Sequence, residues 1–140
     1  MLLRMIVAML AGAAIGWNRH LAGKPAGAGT HALVALGAAL FVSVPLSLGV
    51  PYVDAVSRAV QGVATGVGFL GAGEIFRDPG PNGSRVQGLT SAAALWVTAA
   101  LGLVIATGSL FAALTATALV LLVLIVAPRF ERRFPAREEG

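Results

Sequence analysis

The sequence predicts an all-α, polytopic membrane bundle of about five transmembrane helices, and three observations predict it. Hydrophobic residues fill 57% of the 140 positions, against 11% for Asp, Glu, Lys and Arg, and the mean hydropathy is +0.86. That leaves too little polar surface to coat a soluble domain of this size. Apolar stretches close to the roughly 20 residues that cross hydrocarbon as a helix recur along the whole chain. Between them stand the Pro, Gly and charged residues that end helices. Helices are favoured because lipid offers no partner to an open backbone.

The first stretch, 2–17, carries Arg4 at its start and Trp17 at its end, where an aromatic ring suits the membrane interface. A signal peptide is the rival reading of this segment. Arg19 and Lys24 just beyond it favour a retained helix. A loop with Lys24, Pro25 and several glycines leads to the second stretch, 31–50, where Thr30 is a plausible N-cap and Pro45 should kink or shorten the helix. Pro51 and Asp54 separate it from the third, 59–76. The run Asp78-Pro79-Gly80-Pro81-Asn82-Gly83 reads as a loop before the fourth, 89–106. Only Thr107 and Gly108 divide the fourth from the fifth, 109–127, so a tight hairpin competes with one long kinked helix; the hairpin is favoured. Residues 1–128 then form the transmembrane domain and 129–140 a basic tail.

Charge orients the bundle. With five spans, Arg19, Lys24, Arg77, Arg85, Arg129, Arg132, Arg133 and Arg137 share one side, leaving Arg4 and Arg58 opposite. The positive-inside rule makes the richer side cytoplasmic, with the N-terminus outside. The basic excess is thus topological, and nucleic acid is not an expected partner. The chain has no cysteine, which excludes disulfides and thiolate chemistry.

Small residues indicate how the helices pack, because helices in lipid associate by close contact where Gly, Ala, Ser and Thr permit approach. Ala8, Gly12 and Gly16 make a small-xxx-small face on the first helix. On the third, Gly62, Gly66 and Gly73 share one stripe and Ala64, Gly68 and Gly71 lie roughly opposite, so this helix is expected at the centre. The fifth, mostly Leu, Val and Ala, is expected to face lipid. Gly66 to Gly71 also match a dinucleotide-binding G-x-G-x-x-G, but the strand before it and the helix start after it are missing, so helix packing is the reading.

Ionisable groups in a membrane segment are costly and mark candidate sites. Asp54, Arg58, Gln61 and Thr65 fall at i, i+4, i+7 and i+11, one stripe running in from the external side. An Asp54–Arg58 salt bridge is the plain reading, and a site for a cation, proton or partner helix the sharper one. Glu74 stands beside Arg77 under the same pair of readings. Gln87, Ser91, Ala94 and Thr98 form a polar face on the fourth helix that could pack on the third. His31 reads as a hydrogen bonder that organises its loop, and His20 as solvated. No metal, cofactor or nucleophilic constellation is evident, so an enzyme is not the expectation.

Four blocks together resemble one family: Gly23-Lys24-Pro25-Ala26-Gly27 with the run from Thr30-His31-Ala32 to Phe41; Asp54, Arg58 and Gln61; Gly66-Val67-Gly68-Phe69-Leu70-Gly71-Ala72-Gly73; and Gly88-Leu89-Thr90-Ser91-Ala92-Ala93-Ala94-Leu95-Trp96. Over roughly 4–122 the sequence resembles the MgtC/SapB family of bacterial membrane proteins. The resemblance implies a non-enzymatic inner-membrane protein linked to magnesium limitation, survival inside host cells and regulation of other membrane proteins, including the ATP synthase. Its partners would be the bilayer and either a second copy or another membrane protein, with a cation as a further candidate. The alternative is an oligomeric ion or small-solute transporter. Two positions depart from the family, which usually has Glu at Asn18 and Arg at Gly29; loss of one loop ion pair accounts for both. Well-known members also carry a soluble C-terminal domain, so the chain reads as a short form, natural or truncated.

Overall fold

The computed structural model describes residues 1–80 and 83–133. Its five helices are α1 (Leu2–Leu21), α2 (Ala28–Ser47), α3 (Tyr52–Glu74), α4 (Leu89–Thr107) and α5 (Leu110–Arg133). Pro81, Asn82 and the tail from 134, with Arg137, lie outside the described residues. The helices alternate in direction. Arg4 at the start of α1 reaches Ala106 at the end of α4, and Arg19 near the end of α1 reaches Leu124 late in α5. His31 meets Thr98 and Ala35 meets Gly102, so α2 and α4 run parallel. At 19 to 24 residues each, all five are about as long as a bilayer's hydrocarbon is thick, roughly 30 Å. By length and composition α2, α4 and the stretch Leu110–Glu131 are apolar enough to cross a membrane. The other two helices hold Arg4 and Arg19, and Asp54, Arg58 and Glu74, within their own lengths.

Helix ends follow local chemistry. Pro51 is the N-cap of α3, so that helix starts before 59 and takes in Asp54 and Arg58. Pro45 sits in the last turn of α2, where the carbonyl of Pro45 accepts from the amides of Leu48 and Val50 as the helix closes at Ser47. The α4–α5 break is a tight turn at Gly108, whose φ of +101° suits a residue without Cβ. α5 runs through Pro128 rather than stopping at 127. The segment expected as a loop after α3 is a β-hairpin, Phe76–Gly80 (β1) against Gly83–Gln87 (β2), with Asp78 opposite Arg85 and Pro79 opposite Ser84. Its Pro and Gly content read as loop, and the strands are too short to show a period of two.

The central helix is α4, not α3. Ten of its residues are buried, from Ser91 to Ala106, and α4 packs against α1, α2, α3 and α5. Helix α3 buries a single stripe, Ala55, Ala59, Val63, Val67 and Gly71, and leaves its other faces exposed. Helix α5 is the most exposed, as its Leu and Val content led one to expect; Ala113 and Leu124 are its buried residues.

Three glycines set two of the crossings, α1 with α2 and α2 with α4. A Cβ on Gly12 would strike the His31 carbonyl and the Ala35 side chain, and one on Gly16 would come within 2.5 Å of the Gly27 carbonyl oxygen. Gly102 of α4 lies as close to the Ala35 carbonyl of α2. With Ala8 and Ala39 fully buried beside them, α1, α2 and α4 meet nearly backbone to backbone, the mode in which dispersion and close polar contact hold helices together in lipid. On α3, a Cβ added to Gly71 would stand 3.5 Å from the Ala92 side chain, whereas one added to Gly62, Gly66, Gly68 or Gly73 would meet no neighbour within 4 Å. The glycine stripe therefore does not centre α3 in this chain: Ala and Val fill its packing face.

Replacing Gly102 with Val should lower the unfolding free energy of the detergent-purified protein by about 1–3 kcal/mol or more, since a backbone carbonyl blocks the added atoms. Gly62→Ala should stay within roughly 0.5 kcal/mol. Equal losses from the two in denaturant melts would contradict this packing.

Candidate functional site

The polar stripe of α3 lies on the outside of the bundle. Asp54, Arg58, Gln61 and Thr65 are all exposed, on the side turned away from the Ala55–Val67 packing stripe. The expected Asp54–Arg58 bridge is not formed, nor is a Glu74–Arg77 pair; neither acid forms a hydrogen bond or ion pair among the described residues. Thr65 Oγ1 donates to the Gln61 carbonyl at 2.9 Å, a bond within its own helix. Glu74 is half-buried at the far end of α3.

Between α3 and α2 runs an open groove of about 490 Å³. Leu33 and Phe41 wall it on one side, Gly62, Val63 and Gly66 on the other, and Arg58 is the one charged residue lining it. Leu33 and Phe41 are large apolar side chains left 70% and 67% exposed. Because Gly62 and Gly66 present only backbone, another helix could approach α3 here as closely as α1 approaches α2.

His31 occupies a different place. Helix α2 begins at Ala28 with Gly27 as N-cap, so Thr30 does not cap it. The backbone of Gly27 and Ala28 is held against Gly16 of α1. This seats His31 one turn into α2, fully buried between α1 and α4. Thr98 Oγ1 donates its one hydrogen to the Ala94 carbonyl at 2.7 Å, so at 2.9 Å it accepts from His31 Nδ1. The hydrogen-bond network thereby assigns the Nδ1–H tautomer, and Nε2 is buried without a partner. The face made by Ser91, Ala94 and Thr98 thus serves the α1 and α2 side rather than α3; Ala94 clusters with Ile15. His20 is exposed beside Trp17, their rings 5.9 Å apart.

Two arginines matter more than the sequence indicated. Arg4 Nη1 donates to the Ala106 carbonyl at 2.8 Å, at the C-terminal end of α4, where a cation meets the favourable end of the helix dipole. Arg19 is 3% exposed. Its Nε and Nη2 donate to Asn18 Oδ1 at 3.2 and 2.6 Å, and Nη2 also to the Leu124 carbonyl at 3.4 Å. Pro128, four residues after Leu124, has no N–H to offer that carbonyl, which leaves it open to Arg19. The Leu124/Pro128 spacing was a signal available in the sequence; the carbonyl bound by Arg4 had none.

These features define a class: a small helical membrane protein whose interior polar groups tie helices together and whose third helix keeps an open glycine face. Among the described residues no three His, Cys, Asp or Glu side chains converge on a metal position. The chain belongs to the MgtC family, whose model matches residues 5–133. It is 50% identical over 137 residues to protein SrpB of Synechococcus elongatus, covering 92% of this chain and 75% of that one. It is 42% identical to the putative magnesium transporter YhiD of Escherichia coli (89% and 59% covered). To protein MgtC of Salmonella typhimurium it is 41% identical (86% and 49%). The chain thus spans from half to three quarters of these relatives' lengths. No solved structure matches it.

Thr98→Val should cost about 1–3 kcal/mol, the range for orphaning a buried donor, rather than the roughly 0.6 kcal/mol typical of an interhelical hydrogen bond in a membrane. Combining it with His31→Leu should cost less than the sum of the two single changes, read by unfolding in detergent.

Proposed function

We propose that this chain is a non-enzymatic protein crossing the bacterial inner membrane five times, which acts by receiving a helix of another membrane protein in the α2–α3 groove. The observation that carries the reading is the groove itself: apolar walls, two bare glycines and an unpaired Arg58 and Asp54 on its flank. An incoming helix with small residues could lie against Gly62 and Gly66, and a polar or acidic group on it could meet Arg58, a contact worth more away from water than at a surface. The likeness to the MgtC family links the protein to magnesium homeostasis, and the ATP synthase membrane sector is the first partner to test.

The alternation of helices that share one length supports five crossings: where α2, α4 and α5 span, α1 and α3 run beside them through the same layer. Arg19, Lys24, Arg77, Arg129 and Arg133 sit at one end of the bundle and Arg4 at the other. The positive-inside rule then supports a cytoplasmic C-terminus and an external N-terminus. An oligomeric transporter is the second reading. The groove favours it less, because its one charged residue is a cation that would repel magnesium or a proton.

The chain has no cysteine, so one introduced thiol is a unique crosslinking handle. Thiols at Gly62 and Gly66 should crosslink to a partner in native membranes, and one at Leu119 on exposed α5 should not. Arg58→Ala should weaken the crosslink at normal expression and impair growth in low magnesium. Crosslinks of equal strength at all three positions would refute the groove, and magnesium flux into liposomes holding the purified chain would install the transporter.

A further inference from the structure

At the opposite end of the bundle from Asp54, α1, α4 and α5 enclose a second cavity, a polar cleft of about 660 Å³. It belongs neither to the groove nor to the function proposed for it. Arg19 and Lys24 line one wall, Thr90 and Ser91 another, and Arg129 a third, with Glu131 exposed and the one acid among the lining residues. We propose that this cleft binds a phosphate-bearing anion: the headgroup of an anionic phospholipid or free phosphate.

Three independent features converge there. Arg19 is almost wholly buried, yet both its acceptors, the Asn18 amide and the Leu124 carbonyl, are neutral. No carboxylate among the described residues pairs with it, and its Nη1 donates to none of them. A buried guanidinium without a counter-charge is costly, and an anion in the cleft would supply one in the planar, two-pronged geometry that guanidinium and phosphate share. Ser91 is 2% exposed and its hydroxyl has no hydrogen-bond partner among the described residues. It lines the cleft and offers a donor there. Helix α4 also begins here. Its N-cap is Gly88, which has no side chain, so the first-turn amides of Leu89, Thr90 and Ser91 have no side-chain cap. Those amides and the positive end of a 19-residue helix face where the anion would sit.

The cleft is also built so that α4 cannot be capped from within. Gly88 has φ +91°, and a Cβ on it would run into the Glu74 carbonyl at the end of α3. A Ser, Asp or Asn cap is therefore shut out by the crossing of two chain segments, and the donors stay available. Lys24 and Arg129 are exposed; Arg129 Nη1 bonds the Ile125 carbonyl at 2.6 Å, which holds the guanidinium beside its own helix at the cleft. The cleft lies at the end carrying most of the basic residues, the level at which phospholipid headgroups sit in a bilayer.

The test uses the full chain in nanodiscs mixing phosphatidylglycerol with phosphatidylcholine, with retained lipid read by native mass spectrometry after transfer to uncharged detergent. A parallel arm measures the thermal midpoint in inorganic phosphate against chloride at equal ionic strength. Preferential retention of phosphatidylglycerol without a phosphate shift identifies the headgroup as ligand; a phosphate-specific shift identifies the free anion. Lys24→Gln with Arg129→Gln should lower retention or phosphate affinity about ten-fold, two charge-assisted contacts being lost. Ser91→Ala should lower it several-fold. Arg58→Gln, in the groove at the other end of the bundle, should change neither. Arg19→Gln is the most direct variant but removes a tie to α5, so the exposed pair and Ser91 carry the test. Equal retention of both lipids with no phosphate shift would overturn the proposal, as would a preference unaltered by the cleft variants. The groove's crosslinks would be untouched by either result.

Discussion

Everything in this bundle depends on α1, α2 and α4 being able to touch almost backbone to backbone. Lipid tails are as apolar as leucine, so burying leucine between helices gains little against leaving it in the bilayer. What remains is dispersion, which falls steeply with distance, and polar contact, which needs short reach. Gly12, Gly16 and Gly102, with Ala8, Ala35 and Ala39 around them, bring three helix axes close enough for both. Because α1 sits that near, Arg4 reaches the end of α4 and Arg19 reaches α5. Because α4 sits that near α2, Thr98 reaches His31.

The polar groups then divide in two. Those between helices are mostly spoken for, largely by carbonyls: Ala106 for Arg4, Leu124 for Arg19, Ala94 for Thr98. Each such bond crosses from one helix to another or fixes a side chain that does. Among the described residues, those on α3 bond to no other helix. Asp54 and Arg58 are one turn apart yet unpaired, and the glycines beside them face open space. A membrane protein that held itself together through these residues would bury them; here they add no contact between helices.

Much of the fold was legible because it is written locally. Five apolar stretches, the Pro and Gly between them and the break at Gly108 name the helices and their order, and the four-residue spacing of Ala8, Gly12 and Gly16 gives the packing face of α1. The centre of the bundle was not legible. Glycine count pointed to α3, but a glycine brings helices together only when a partner lies opposite, and the partner's position is a property of the whole fold. Gly102, alone in an apolar run, proved the closer contact. Charged residues suggested charged partners, whereas Arg4 binds a backbone carbonyl that no sequence pattern marks, and Arg19 binds the neighbouring Asn18 amide and the Leu124 carbonyl that Pro128 leaves open. The α3 stripe was read correctly as one face; that it points outward could not be told from periodicity, which fixes an angle between residues and not the direction of the core.

The place of α4 in the chain order has a consequence for how the molecule is made. It is made after α1, α2 and α3, yet it is the wall against which all three pack. Until it inserts, the His31 ring lacks Thr98, the Ala35 carbonyl lacks its glycine, and the buried stripe of α3 faces lipid or the insertion machinery. The first three helices therefore wait in the membrane as an unfinished assembly for the time needed to synthesise the β-hairpin and α4, and a chain stopped before Leu89 leaves its most polar interior surface uncovered. Such a fragment leaves exposed to lipid the polar and backbone groups that α4 covers in the finished fold.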